Sequence, residues 1–297
     1  TRIAGAYFDV VAATEQLKIV ETQVAANADL LELIELRYEN SESTALDVLQ
    51  QRQQVAASQT MPAQARVQLR NAQVQLGILV GNIEDSVATS KVLPVLPGPP
   101  PTSVPGDVVE ARPDLRAASN RLDGAHRRKL SAFRALLPTL QISGQAGYQA
   151  NYFTEFDTQS TWGVGYSLSV PMFQGGRGHA AIRQARAAED GASHAYSQLV
   201  LQALGEVELA LTLEAEQNIQ LAAVEKQVEA ARLAYEESRS QYALGLTNYL
   251  SILVALNTLQ QAELSELSVR RQLLNSRVQL HDALGGDLPT FKEEHQP

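Results

Sequence analysis

A mainly α protein with a small β part is the fold class this sequence predicts, and three observations predict it. Residues 15–85 recur without a gap 204 positions later: Leu17, Val20, Glu21, Tyr38 and Leu46 reappear as Leu221, Val224, Glu225, Tyr242 and Leu250, and Arg66, Gln68 and Asn71 as Arg270, Gln272 and Asn275. One long unit was therefore duplicated. Extended runs without Pro carry apolar residues at helical spacing, and in mid-chain the period drops to two.

Composition narrows the function. The net charge is −9 and Lys and Arg are scattered, so the clustered cationic face that nucleic acid requires is missing and no nucleic acid partner is expected. Without Cys there is neither a disulfide scaffold nor a thiolate metal site. No window reaches the roughly 18 apolar residues of a spanning helix, whereas short alternating β-barrel strands escape such a test. His126, His179, His194, His281 and His295 show no metal-ligand spacing, Gly175-Gly-Arg-Gly178 is not followed by Gly-Lys-Ser/Thr, and no G-x-S-x-G occurs. No enzyme activity, metal or cofactor is expected.

The elements follow in order. Thr1 to about Tyr38 reads as one helix, with Leu17, Val20, Val24 and Leu31 on its apolar face. A polar stretch, 39–44, breaks it, and Thr44-Ala-Leu-Asp47 has the form of a capping box. A second helix runs to about Val80 and ends at Gly81, with Pro62 expected to kink or split it. Residues 1–90 thus form a helical hairpin, the incomplete first repeat. Seven of the twelve prolines fall between 91 and 113, which makes 91–111 an extended inter-repeat linker. Pro113 and Asp114 open a helix that Pro138 stops, giving a segment 112–138.

Residues 139–172 form a predicted β-hairpin. Leu140, Ile142, Ala146 and Tyr148 alternate with polar residues, and Trp162, Val164, Tyr166, Leu168, Val170 and Met172 do the same. Each run has about the length of a tilted membrane-crossing strand, and Tyr148, Tyr152, Phe153 and Trp162 gather near the connector, as suits a bilayer interface. A hairpin packed on a soluble core would alternate in the same way. Residues 173–286 form a second, longer helical hairpin: one helix from about His179 to Tyr242, about 95 Å at 1.5 Å per residue, a turn at Gly245, and a return helix from about Thr247 to Leu284. Residues 287–297 are a tail.

Several segments together resemble the TolC-like outer membrane efflux protein family, in particular its lipoprotein branch serving multidrug efflux pumps. Leu36-Arg-Tyr-Glu-Asn-Ser-Glu-Ser-Thr-Ala-Leu-Asp-Val-Leu49 and Gln241-Tyr-Ala-Leu-Gly-Leu-Thr-Asn-Tyr-Leu-Ser-Ile-Leu253 are similar to its two tip motifs. Arg112-Pro-Asp-Leu-Arg-Ala-Ala118 is similar to the opening of its second repeat, Val170-Pro-Met-Phe-Gln-Gly-Gly176 to its strand exit, and Ala283-Leu-Gly-Gly286 to its ending. Ser41 stands where the family usually has Gly, and Ser251 where Asp is common.

The resemblance implies long helical hairpins of a periplasmic α-barrel plus two transmembrane strands of a trimeric outer membrane β-barrel. Three copies of this chain would give six strands, fewer than the eight or more of known barrels. The other strand pair and the lipidated Cys are therefore expected ahead of Thr1, in an N-terminally truncated chain. The implied function is an outer membrane channel subunit of a tripartite efflux system, exporting small molecules. Its expected partners are two further copies of itself, a periplasmic adaptor, an inner-membrane pump and outer membrane lipid. A type I protein secretion channel and a soluble coiled-coil scaffold are the alternatives. The lipid-facing candidates are Leu140, Ile142, Tyr148, Trp162, Val164, Tyr166 and Leu168.

The tips between paired helices hold the gate candidates Tyr38, Glu39, Glu42, Asp47, Arg239, Tyr242 and Gly245. In a trimer Asp47, with Glu39 and Glu42, would ring the tunnel mouth and favour cations; the competing reading is that Asp47 only completes the cap with Thr44. Tyr38 and Tyr242 occupy matched positions, suited to packing or to gate hydrogen bonds. Arg239 is placed to reach an acid across the tip or to stay solvated.

Overall fold

A computed structural model of the chain describes residues 2–82, 90, 92–96, 112–150 and 158–286. Two compact units emerge: Thr1–Val104 with Leu204–Pro297, and Pro105–Ala203.

The first unit is helical. Helix α1 spans Arg2–Glu39, α2 Ala45–Ser58 and α3 Met61–Val80. Pro62 does split the second arm: Gln59 and Thr60 close α2, and Pro62 sits in the first turn of α3, where its missing N–H costs nothing. This arm folds back along α1. Arg52 pairs with Glu35 at 2.7 Å and Arg66 with Glu21 at 3.4 Å, so each step up one helix matches a step down the other.

The second arm pair is built the same way. Part of the long helix α5 (Arg177–Ala243) and all of α6 (Tyr249–Ala283) belong to the first unit. Along the seam Arg270 pairs with Glu225 at 3.5 Å, Arg232 with Glu263 at 4.0 Å, and Arg277 with a buried Glu214 at 2.5 Å. Glu21–Arg66 and Glu225–Arg270 occupy duplicated positions. Both pairs are largely exposed, so each is worth only a few tenths of a kcal/mol up to about 1. They mark register more than they stabilise.

The apolar core is a thin seam. Near the tips it joins Leu30 and Ile34 of α1, Val48 of α2, Tyr242 of α5 and Tyr249, Ile252 and Leu256 of α6. Farther along, Val228 and Ala231 meet Leu259 and Ala262. Leu93 of the linker drops between α1 and α6, onto Val11, Ala12, Leu267 and Leu274, and its N–H donates to Glu15 Oε1 at 2.6 Å. Of the Pro-rich linker only 92–96 are described, and Tyr152, Phe153, His295 and the tail expected at 287–297 fall outside the described residues. His281 departs from the expected surface position, being half-buried with Nδ1 unpartnered.

The second unit contains α4 (Pro113–Arg134), β1 (Thr139–Ala150), β2 (Thr158–Ser169) and the start of α5. Arg112 donates to the Asp114 carboxylate at 2.8 Å and holds its pKa below the usual value. Helix α4 lies along α5: Lys129 and His126 both bind Glu189, at 2.5 and 2.7 Å, and depress its carboxyl pKa. At the strand exit Gly175 and Gly176 take φ values of 56° and 81°, which favour glycine. A Cβ at Gly178 would meet Leu136 Cδ2, whose partly exposed side chain would have to move aside.

β1 and β2 pair antiparallel from Thr139↔Ser169 to Ala150↔Thr158. Opposite one another stand Leu140 and Leu168, Ile142 and Tyr166, Gly144 and Val164, Ala146 and Trp162. The apolar residues thus share one face and Gln, Ser, Thr and Gly the other. β2 stops at Ser169, short of the Val170 and Met172 assigned to it from sequence. Pro171 has no N–H for a ladder, and Met172 N–H turns back to the Val170 carbonyl at 3.0 Å instead.

Candidate functional site: the paired helical tips

Both tips are the same device, executed twice. At the first, Glu42 N–H donates to the Arg37 carbonyl and Ser41 N–H to that of Tyr38; at the second, Leu246 N–H donates to the Gln241 carbonyl and Gly245 N–H to that of Tyr242. Each is a Schellman stop, whose third partner must take positive φ. Gly245 does so at 75°, but its duplicate Ser41 does so at 62° with a side chain to accommodate. A polar N-cap then starts the return helix. Thr44 and Asp47 form the full capping box, and Asn248 Oδ1 accepts from Ser251 N–H at 3.0 Å.

Asp47 therefore caps, and it does more. Its Oδ2 accepts from Thr44 N–H and from Ser43 Oγ, both at 3.1 Å, and Ser43 Oγ lies 3.4 Å from the Tyr242 hydroxyl of the other tip. Tyr242 is buried and Tyr38, at the matched position, is 47% exposed. Glu39 and Glu42 are exposed. Arg239 is exposed as well and pairs with no acid among the described residues, which matches the solvated one of its two expected placements. Arg37 makes the crossing instead.

Sequence reasoning passed over Arg37 as a site residue although it stands in the first tip motif. Its Nη1 donates to the carbonyls of Tyr242 and of Ala243, the latter at 3.1 Å, and its Nη2 lies 3.6 Å from the Glu42 carboxylate. The guanidinium carbon sits 4.8 Å from the Tyr242 ring centroid, a cation–π distance. Only 9% of the residue is exposed.

Behind the tip, polar residues continue into the seam. Tyr249 Oη donates to Gln51 Oε1 at 3.0 Å, Gln51 Nε2 to the Asn27 carbonyl at 2.9 Å, Asn27 Nδ2 to the Gln23 carbonyl at 2.9 Å, and Gln23 Nε2 to the Gln260 carbonyl at 3.0 Å. Gln51 and Asn27 are fully buried, and Asn27 Oδ1 has no partner. Burial, reinforced by nearby Asp47, pushes the Tyr249 hydroxyl up to about 12, so it stays a proton donor at any physiological pH. The second repeat has Ala231 and Ala255 where Asn27 and Gln51 stand in the first.

The β-hairpin is the other half of the candidate apparatus. Its apolar face is uncovered: Leu140, Ile142, Trp162, Val164, Tyr166 and Leu168 are 65 to 85% exposed. The side chain of Tyr148 lies outside what is described. Among the described residues nothing covers the polar face either.

Comparison with known proteins decides the family. The sequence signature of the outer membrane efflux protein family matches residues 104–286. The chain belongs to this family. Among its relatives, the pyoverdine export outer membrane protein OpmQ of Pseudomonas putida is 31% identical over 97% of this chain and 63% of its own length. The cation efflux system protein CusC of Escherichia coli is 24% identical over 96% of this chain and 63% of its own. The solved structure of the outer-membrane channel OprN superposes with a TM-score of 0.82 at 26% identity, covering 96% of this chain and 65% of that one. VceC of Vibrio cholerae, at 23% identity and a TM-score of 0.82, shares the fold over 95% of this chain and 68% of that one. The chain spans about three-fifths of the length of the relatives it matches. As an outer membrane efflux protein it is assigned to the Gram-negative outer membrane, with its long helices in the periplasmic barrel of that fold.

Proposed function

We propose that this chain is part of an outer membrane channel subunit of a tripartite efflux system, working as a homotrimer through which small molecules leave the cell. The observation that carries the reading is the uncovered hairpin: a row of large apolar side chains on one face and uncharged Gln, Ser and Gly on the other. In water, six such side chains exposed together are unfavourable by about 1.5 to 3 kcal/mol each relative to burial; against lipid hydrocarbon they are at home, and the opposite face suits a water-filled lumen. Both strands also keep one unpaired edge among the described residues, as strands continuing into a barrel would.

The paired tips then act as the periplasmic gate. Tyr38, Glu39, Glu42, Asp47 and Arg239 line an acidic, solvated mouth, and Tyr242 and Gly245 belong to the closure behind it. A periplasmic adaptor docked at the tips would open it by untwisting the helical hairpins, and an inner-membrane pump would supply the cargo. The full-length protein should float with outer membrane vesicles and conduct ions in a planar bilayer. Recovery in the soluble fraction with no conductance would refute the reading in favour of a scaffold. Asp47→Ala with Tyr242→Phe should raise the closed-state conductance; an unchanged closed state would remove these two residues from the gate.

A further inference from the structure

We propose that Arg37 is a one-way bolt from the first helical tip to the second, and that withdrawing this side chain is the step within each subunit that lets the hairpins part. The proposal rests on the channel reading above. A helix ends with unsatisfied carbonyls carrying the negative end of its dipole, and α5 ends at Ala243. The cation meeting those carbonyls comes from a different hairpin: Arg37 donates to Tyr242 and Ala243 from the last turn of α1. Capping α5 and joining the tips are therefore one and the same contact.

The duplicated positions show that the two tips have diverged into complementary halves. Opposite Arg37 the second repeat has Gln241, whose Nε2 bonds Glu237 of its own helix at 2.7 Å and crosses to no other helix among the described residues. Opposite Ser41 it has Gly245, where a Cβ would come to 3.4 Å from Arg37 Nη2. Opposite the exposed Tyr38 it has the buried Tyr242, whose ring the guanidinium covers. Arginine lies on one side; the glycine notch, the aromatic face and the open carbonyls lie on the other.

The bolt is also made to be withdrawn. Arg37 Nε is buried without a partner among the described residues, so seating leaves one donor unsatisfied that water would satisfy outside. The side chain accordingly has two discrete states, seated and dry or withdrawn and hydrated, which is what a switch requires. Glu42, exposed at the rim and 3.6 Å away, can accompany the guanidinium outward.

The test uses the full-length protein in planar bilayers. Hydrogen bonds from a charged donor each change an equilibrium by about tenfold or more, so Arg37→Gln, which gives the first tip the residue of the second, should raise the open fraction by about tenfold. Thermal stability of the oligomer, which a role in folding alone would lower, should change little. Arg37→Lys keeps the charge but not the fork that reaches two carbonyls, and should fall between. It carries the prediction if the Gln variant does not assemble. Glu237→Ala, which frees Gln241, should leave the open fraction unchanged. A wild-type protein that forms closed channels whose open fraction Arg37→Gln and Arg37→Lys both leave untouched overturns the bolt and spares the channel; a wild-type protein that forms no channel overturns both.

Discussion

The bond between Tyr249 and Gln51 offers a quantitative test of how the two hairpins are held together. Gln51→Leu conserves volume, so little of its cost comes from a cavity. It does strand the Tyr249 hydroxyl, whose partner at 3.0 Å disappears, in a site where Tyr249 is 4% exposed. An unsatisfied buried hydroxyl costs about 1–3 kcal/mol. Tyr249→Phe alone should cost about the same, because it orphans Gln51 Oε1 on a fully buried residue. The double variant removes both partners and should cost about 1 kcal/mol or less, well below the sum of the singles. At about 2 °C per kcal/mol, each single variant lowers the midpoint of thermal helix loss by about 2–6 °C and the double by about 2 °C or less. Circular dichroism of the detergent-solubilised protein reads this directly. If the double variant loses the sum of the singles, the hydroxyl and the amide are not partners, and the two hairpins are not joined through them.

Further outcomes follow from single residues. Ser41→Gly should stabilise the protein by about 0.5–1 kcal/mol by relieving a left-handed residue, while Gly245→Ala should cost about 1 kcal/mol or more; the same melting experiment orders them. Gly178→Ala should push the partly exposed Leu136 side chain to another rotamer at about 1 kcal/mol or less, and Leu136→Ala in the same chain should remove that cost. Because the Tyr249 pKa is raised from 10 to about 12, its contribution is complete below pH 10 and lost as pH climbs through 12; Tyr249→Phe should flatten that alkaline limb. Trp162, the single tryptophan, is 82% exposed on the apolar strand face. Its fluorescence in vesicles should be quenched by brominated acyl chains and resist aqueous acrylamide, and the reverse would take the hairpin out of the bilayer.

Local chemistry was legible in the sequence. The break at 39–44, the capping box at Thr44 and Asp47, the split at Pro62 and the start at Pro113 each depend on neighbours within a few residues, and each stands where pattern placed it. The period-two face was legible for the same reason, although Pro171 ended the second strand earlier than apolar alternation suggested. Long-range partnership was not. Arg37 and Arg239 both precede a tip on a polar background, and nothing local shows that Arg37 finds carbonyls 205 and 206 positions away while Arg239 faces water. Tyr38 and Tyr242 are equivalent in the repeat and opposite in burial. The signal that could have found Arg37 was the mismatch with Gln241, which duplication made visible and which similarity alone passes over.

The matched rungs Glu21–Arg66 and Glu225–Arg270 impose a rule on how this architecture can change length. An insertion of one turn into any single arm would shift every rung beyond it by about 5.4 Å and set the first seam out of step with the second. Growth or shrinkage must therefore occur in both arms of a hairpin together and in whole periods of its seam. Substitution can vary freely on the outer faces, but the two arms of a hairpin inherit their length as one shared dimension.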